Sequence, residues 1–201
     1  IGLTVRLALA PFFAHPIDMW NRYAIYLKVR AGGLTVITVF PPLYLHYILG
    51  LSYLLYETLK QLAGEEALRT WAVLPQGMDG WLARMIFIPP PLFNLVVKAP
   101  LLAADCAVAF LMYKVALEAL GSGEQEALAA AASWLLNPYT VFISSCWGMY
   151  DSLAVFFVLA AIYLLHRGRK GLSAVALALG AAVKLYPALL LPPLAYALSR
   201  R

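Results

Sequence analysis

Six ionisable side chains stand within or at the mouths of apolar runs: Arg6, Asp18, Lys98, Asp105, Asp151 and Lys184. At bilayer depth such groups cost about 2.5–3.5 kcal/mol each on insertion scales, so they tend to face cavities, partners or pathways. A lysine ammonium is a compact charge suited to a phosphate. A carboxylate can take a proton from a hydroxyl or hold a divalent cation. Together they could serve transfer of a group carried on a lipid-linked phosphate. Each also has a plainer reading. Arg6 can pair with Asp105 and hold two helices together, and Asp105 leans toward a packing carboxylate. Lys98, close to an interface, is expected to snorkel. Asp151 can cap its own helix. Lys184 has the weakest structural reading, because "AAVKLYPALLLPP" surrounds it with apolar residues and Pro187 breaks the helix ladder just beyond.

The elements that must position these groups follow from composition. Of 201 residues, 63% are hydrophobic and 12% charged, and the mean hydropathy is +0.79. That balance is far from a soluble domain, and the apolar runs approach the length of a bilayer core. The chain reads as an all-α, polytopic transmembrane bundle forming a single membrane domain over 1–201, with residues 15–94 as a large external region bearing interfacial helices. The net charge of +5 fits basic cytoplasmic loops in a membrane chain, so the bilayer is an expected partner and nucleic acid is not. Cys106 and Cys146 lack metal-type spacing and read as small core residues. His15, His46 and His166 read as interfacial or loop residues, and no phosphate loop, zinc-protease motif or nucleophile elbow is present. The opening run, "IGLTVRLALAPFFA", reads as a truncated first transmembrane helix.

Depth can be counted from "HRGRK" at 166–170, a basic turn that the positive-inside rule places in the cytoplasm. Asp151 lies fifteen residues before it, about 22 Å in helix. Lys184 lies fourteen residues beyond it, about 21 Å. Both therefore belong near the outer face, at similar depth. A helix rising from Gly121–Gly123 should break at Asn137-Pro138. The helix before it descends past Lys98 and Asp105. Residues 15–94 cross an even number of times, and zero is preferred, although Pro41-Pro42 splits a run long enough to span.

The block "NPYTVFISSCWGMYDSLAVFFVLAAIYLL", followed by "ALALGAAVKLYPALLLPP", resembles the GT-C superfamily of membrane glycosyltransferases. It is particularly similar to the first GPI mannosyltransferase and to archaeal and bacterial enzymes that use polyprenyl-phosphate mannose. "HPIDMW", "FPPLYLHYILG" and "VKAPLLAADCAVAFLMYKVAL" occur in matching order. The resemblance implies an inverting glycosyltransferase that moves a sugar, mannose by expectation, from a polyprenyl-phosphate donor to a glycolipid, glycan or protein acceptor. The site would face outward from a cell membrane or into the lumen of the endoplasmic reticulum. It implies that Asp18 is the catalytic base, Asp151 of the W-G-x-x-D element its supporting partner, and Lys184 with Tyr186 the donor-phosphate site. Arg6, Lys98, Asp105 and Trp147 would be supporting residues. A divalent cation, Mg or Mn, would fall to Asp18, although this chain has one acid where the family often has two. The chain would correspond to the N-terminal half of such an enzyme. A transporter lined by the same charges, or a non-catalytic membrane subunit, are the competing classes.

Overall fold

The computed structural model describes residues 1–32, 47–70 and 88–199. Pro41-Pro42, His46 and residues 71–87 lie outside them. The described residues form helices: α1 (Gly2–Leu9), α2 (Pro16–Gly32), α3 (Leu49–Leu59), α4 (Glu65–Leu68), α5 (Pro91–Glu118), α6 (Glu124–Leu135), α7 (Pro138–Val141) running into a π-helical turn (Phe142–Trp147), α8 (Asp151–His166), α9 (Lys170–Val183), a 3-10 turn (Tyr186–Leu190) and α10 (Leu191–Ser199). The class is all-α, as expected. Among the described residues, α5 is the one helix long and apolar enough to cross a bilayer, and α6 with the bent continuation through Trp147 makes a second span if taken as one. α8 and α9 are apolar but have 16 and 14 residues, short of the ~20 that a bilayer asks for.

α5 is the axis, packed against α6 and α8, and α8 packs in turn on α9. At one end, the Glu118 carboxylate accepts from Tyr163 and Arg167, each at 2.7 Å. That contact places the end of α5 and the basic turn at the same end of the bundle. At the other end, Phe93 of α5 sits among Tyr23, Tyr26, Tyr53 and Tyr56, with ring centroids 4.9 to 6.1 Å away. Aromatic packing of this kind adds about 0.5–1.5 kcal/mol per pair beyond burial, and here it seats α2 and α3 over the start of α5. Burial alone would raise the Glu57 carboxyl, but hydrogen bonds from Lys60 and Tyr26 outweigh it and hold Glu57 below its usual range.

The break at Asn137-Pro138 falls where the sequence places it, and the chain bends there by 44°. Proline has no N–H for the Trp134 carbonyl four residues back. The Tyr139 N–H, which would serve Leu135, turns instead to the Asn137 side chain at 2.8 Å. Both orphaned carbonyls are answered by Arg6, which donates through Nη1 to Leu135 O and through Nη2 to Trp134 O at 3.4 Å. Thr140 adds a hydroxyl donor to Trp134 O at 2.7 Å. Arg6 Nε donates to Asp105 Oδ2 at 2.9 Å, with both side chains fully buried. Asp105 Oδ1 accepts from Trp134 Nε1 at 3.0 Å and from Ser152 Oγ at 2.7 Å. The pairing expected between Arg6 and Asp105 is therefore present, and with Thr140, which also accepts from Arg6, it joins five helical segments rather than two.

The C-terminal end of the broken helix is pinned likewise. Lys98 does not snorkel: it lies two turns inside α5 and is fully buried. Its ammonium donates to the carbonyls of Ala10 at 3.0 Å, Phe13, Ser145 at 2.8 Å and Cys146 at 3.4 Å. These are unpaired carbonyls at the C-terminal ends of α1 and of the π-helical turn, where a cation is favoured. The correction has a physical reason. Two helix ends converging on one point give the ammonium a full set of acceptors, so it has no need to reach water.

Gly148 then reverses the chain at φ 85°, ψ 26°. A Cβ there would lie 3.1 Å from Lys98 Cε, 3.1 Å from Met19 Sδ and 3.2 Å from Arg22 Nη1.

Two measurements test this account on the full-length protein in detergent. Asp105→Asn leaves Arg6 buried without its counter-charge and should lower unfolding stability by about 3–5 kcal/mol; a change below 1 kcal/mol would mean the pair is not structural. Gly148→Ala should destabilise more than Gly121→Ala. Both glycines have left-handed φ, a cost of about 1–2 kcal/mol for any other residue, but Gly121 faces open space. Equal losses would refute the crowding at Gly148.

Candidate functional site

The turn Trp147–Asp151, held from below by Lys98, carries most of the expected site. Trp147 Nε1 donates to Asp18 Oδ2 at 2.6 Å. Asp18 lies in the first turn of α2, and its carboxylate also meets His15 Nδ1 at 3.0 Å. His15 stacks on Trp147 with ring centroids 4.4 Å apart and planes 12° from parallel. Asp18, the expected base, is thus fixed by an indole and an imidazole, and both Asp18 and His15 remain about one-third exposed. A small cleft of about 150 Å³ opens beside them, between the α1–α2 connection and a face made by Phe142, Cys146 and Trp147.

Three residues further on, Tyr150 is flanked by two cations. Arg22 Cζ lies 5.9 Å and Lys184 Nζ 5.0 Å from its ring centroid, within cation–π range. Arg22 also donates to the Gly148 carbonyl. Asp151 Oδ1 accepts from Lys184 Nζ at 2.5 Å. The equal depth counted from the basic turn is therefore a direct contact. Tyr150 holds the N-cap position of α8 and Asp151 is its first helical residue; the Asp151 carboxylate is partnered by Lys184. α9 ends at Val183, ahead of Pro187. Lys184 is extended (φ −145°, ψ 150°) at the end of α9, which turns its side chain toward Asp151. Tyr186 begins the following 3-10 turn and is exposed.

The sequence brought Asp18, Trp147, Asp151 and Lys184 forward, and they converge on one turn. Arg6, Lys98 and Asp105 lie inside the bundle and act through carbonyls and other side chains. Two residues were missed. His15 was read as interfacial, although His-x-x-Asp at a helix start puts imidazole and carboxylate side by side. Arg22 stands four residues after Asp18 on the same helix, a spacing that suggests an ion pair, yet it turns to the Gly148 carbonyl instead. Neither cysteine is a core residue: both are half-buried, and Cys146 faces the cleft. Among the described residues, no group of three or more His, Cys, Asp or Glu side chains converges. A Mg or Mn ion would find one carboxylate at Asp18, its Oδ2 already engaged by Trp147 and His15, which is a poor fit for an octahedral ion.

GPI mannosyltransferase 1 of Candida albicans (strain SC5314 / ATCC MYA-2876) is 29% identical over 102 residues, 51% of this chain. The match spans about a quarter of that relative's own length, 26%. No solved structure matches the chain. Residues 78–201, more than half of the sequence, match the family described as "GPI transamidase subunit PIG-U". These residues include the broken helix, the 147–151 turn and Lys184, and on that match the chain belongs to the PIG-U family.

Proposed function

We propose that this chain carries the acceptor and donor-phosphate side of a membrane glycosyltransferase of the GT-C type, which moves mannose from a polyprenyl phosphate to a lipid-linked glycan on the external or lumenal face. The observation that carries this reading is the convergence of the Asp18 carboxylate and the Lys184 ammonium on the two ends of one five-residue turn, Trp147–Asp151. The basic turn lies at the far end of α8, which favours an external site. The likeness to a relative named as a mannosyltransferase supports the choice of sugar.

In this reading the acceptor hydroxyl enters the cleft beside Asp18, whose negative charge favours loss of the hydroxyl proton. The acceptor oxygen attacks C1 of the sugar from the face opposite the phosphate. The C1–O bond breaks, its electron pair leaves on the polyprenyl phosphate, and the anomeric centre inverts. Lys184 holds the leaving phosphate with the ammonium hydrogens that Asp151 does not use, and the Tyr186 hydroxyl is a second donor. Asp151 aims Lys184, and Arg22 holds the Gly148 carbonyl so that Tyr150 stays beneath that ammonium.

The second reading is a non-catalytic subunit that binds a glycolipid. The family description favours it, and so does the close Lys184–Asp151 pair, since a lysine already neutralised is a weaker phosphate ligand.

Incubating the full-length protein with radiolabelled polyprenyl-phosphate mannose and a panel of glycolipid acceptors separates the two. Transfer is expected, and Asp18→Asn should reduce it below detection with the unfolding temperature little changed. Glycolipid binding without transfer by the unaltered protein would establish the subunit reading. Lys184→Gln should raise KM for the donor by about tenfold or more, the worth of a charge-assisted hydrogen bond of about 1.5–3 kcal/mol; an unchanged KM would remove Lys184 from the phosphate site.

A further inference from the structure

His15, an imidazole that the sequence gave no catalytic part, lines the cleft, whereas the Asp18 carboxylate does not. Asp18 lies against the imidazole, and the same oxygen, Oδ2, receives Trp147 Nε1 at 2.6 Å and faces His15 Nδ1 at 3.0 Å. An acceptor hydroxyl entering the cleft therefore meets the imidazole first.

Two partners compete for His15 Nδ1. The Asp18 backbone N–H approaches it at 3.4 Å, and the carboxylate oxygen at 3.0 Å. A nitrogen cannot donate to the carboxylate and accept from the amide at once, and the shorter, charge-assisted contact is the stronger. With its proton on Nδ1 and shared with Asp18, the ring leaves Nε2 as a free lone pair. Stacking on Trp147 fixes the ring plane. The indole is itself fixed by Asp18, so the three side chains hold one another in a single arrangement.

We propose that His15 Nε2 is the atom that takes the proton from the acceptor hydroxyl, with Asp18 as the positioning residue that orients the ring and stabilises the imidazolium. The inference rests on the glycosyl-transfer reading above and changes its proton acceptor. As the acceptor oxygen bonds to C1, its proton passes to Nε2. The C1–O(phosphate) electron pair departs on the phosphate, and the imidazolium later returns the proton to solvent. The carboxylate stays ionised throughout, as an orienting acid does in a nucleophile–histidine–acid triad.

His15 also precedes α2 directly, so a structural role as helix cap has to be separated from a chemical one. Asparagine serves for this, because it caps a helix at least as well but accepts no proton. In the full-length protein with radiolabelled polyprenyl-phosphate mannose, His15→Asn should keep the unfolding temperature and the donor KM while kcat falls about a hundredfold or more. His15→Ala should be partly restored by imidazole in the medium, and Asp18→Asn should not. If His15→Asn turns over at the unaltered rate while Asp18→Asn is inactive, Asp18 meets the acceptor directly: the inference fails and the glycosyl-transfer reading stands. If the unaltered protein transfers no sugar to any acceptor, both fail.

Discussion

The arrangement depends on one constraint: a helix broken at Asn137-Pro138 inside an apolar bundle must have its freed carbonyls answered. No water is at hand in hydrocarbon to answer them, and an unsatisfied backbone group there costs several kcal/mol. Arg6 supplies the donors, reaching Leu135 O and Trp134 O. A buried guanidinium in turn requires an anion, and Asp105 provides it at 2.9 Å. Asp105 then gathers Trp134 and Ser152 on its other oxygen. Arg6 and Asp105 satisfy each other, so neither can be removed alone without leaving a buried polar group unpaired.

Lys98 closes the same element at its other end. Its ammonium draws together the carbonyls that end α1 and those that end the π-helical turn. With both ends of the segment Pro138–Trp147 fixed to α5, the chain leaves it at a defined point, and Gly148 sends it back in a left-handed turn. This is how charges with no place in the cleft govern the residues that have one. Trp147 emerges against Asp18, and Asp151 emerges at the start of α8 against Lys184. Ser152, adjacent to Asp151, returns a hydrogen bond to Asp105 and so links the buried node to the site above it.

The family match covers residues 78–201, which hold the broken helix, the 147–151 turn and Lys184. A broken helix held by buried cations, ending in a turn that presents an indole and a carboxylate, suits either sugar transfer or glycolipid binding. Asp18 and His15, on which the proposed chemistry rests, stand outside residues 78–201 matched by the family model, on the first turn of α2 and just before it.

Much of this was determined by sequence alone. Apolar composition set the class, proline set the break, and counting 1.5 Å per residue from the basic turn set Asp151 and Lys184 at one depth. Those inferences rest on local rules: a missing N–H, a fixed rise, a preference of bases for one side. The sequence could not say that Lys98 would be buried, because whether a lysine snorkels depends on where other helix ends arrive. Nor could it turn Arg22 from the carboxylate four residues before it toward the Gly148 carbonyl, or stack His15 on a tryptophan 132 positions away. Those outcomes were decided by tertiary structure. Each polar group in the bundle must find a partner, and which partner lies within 3 Å is known only once the helices are packed.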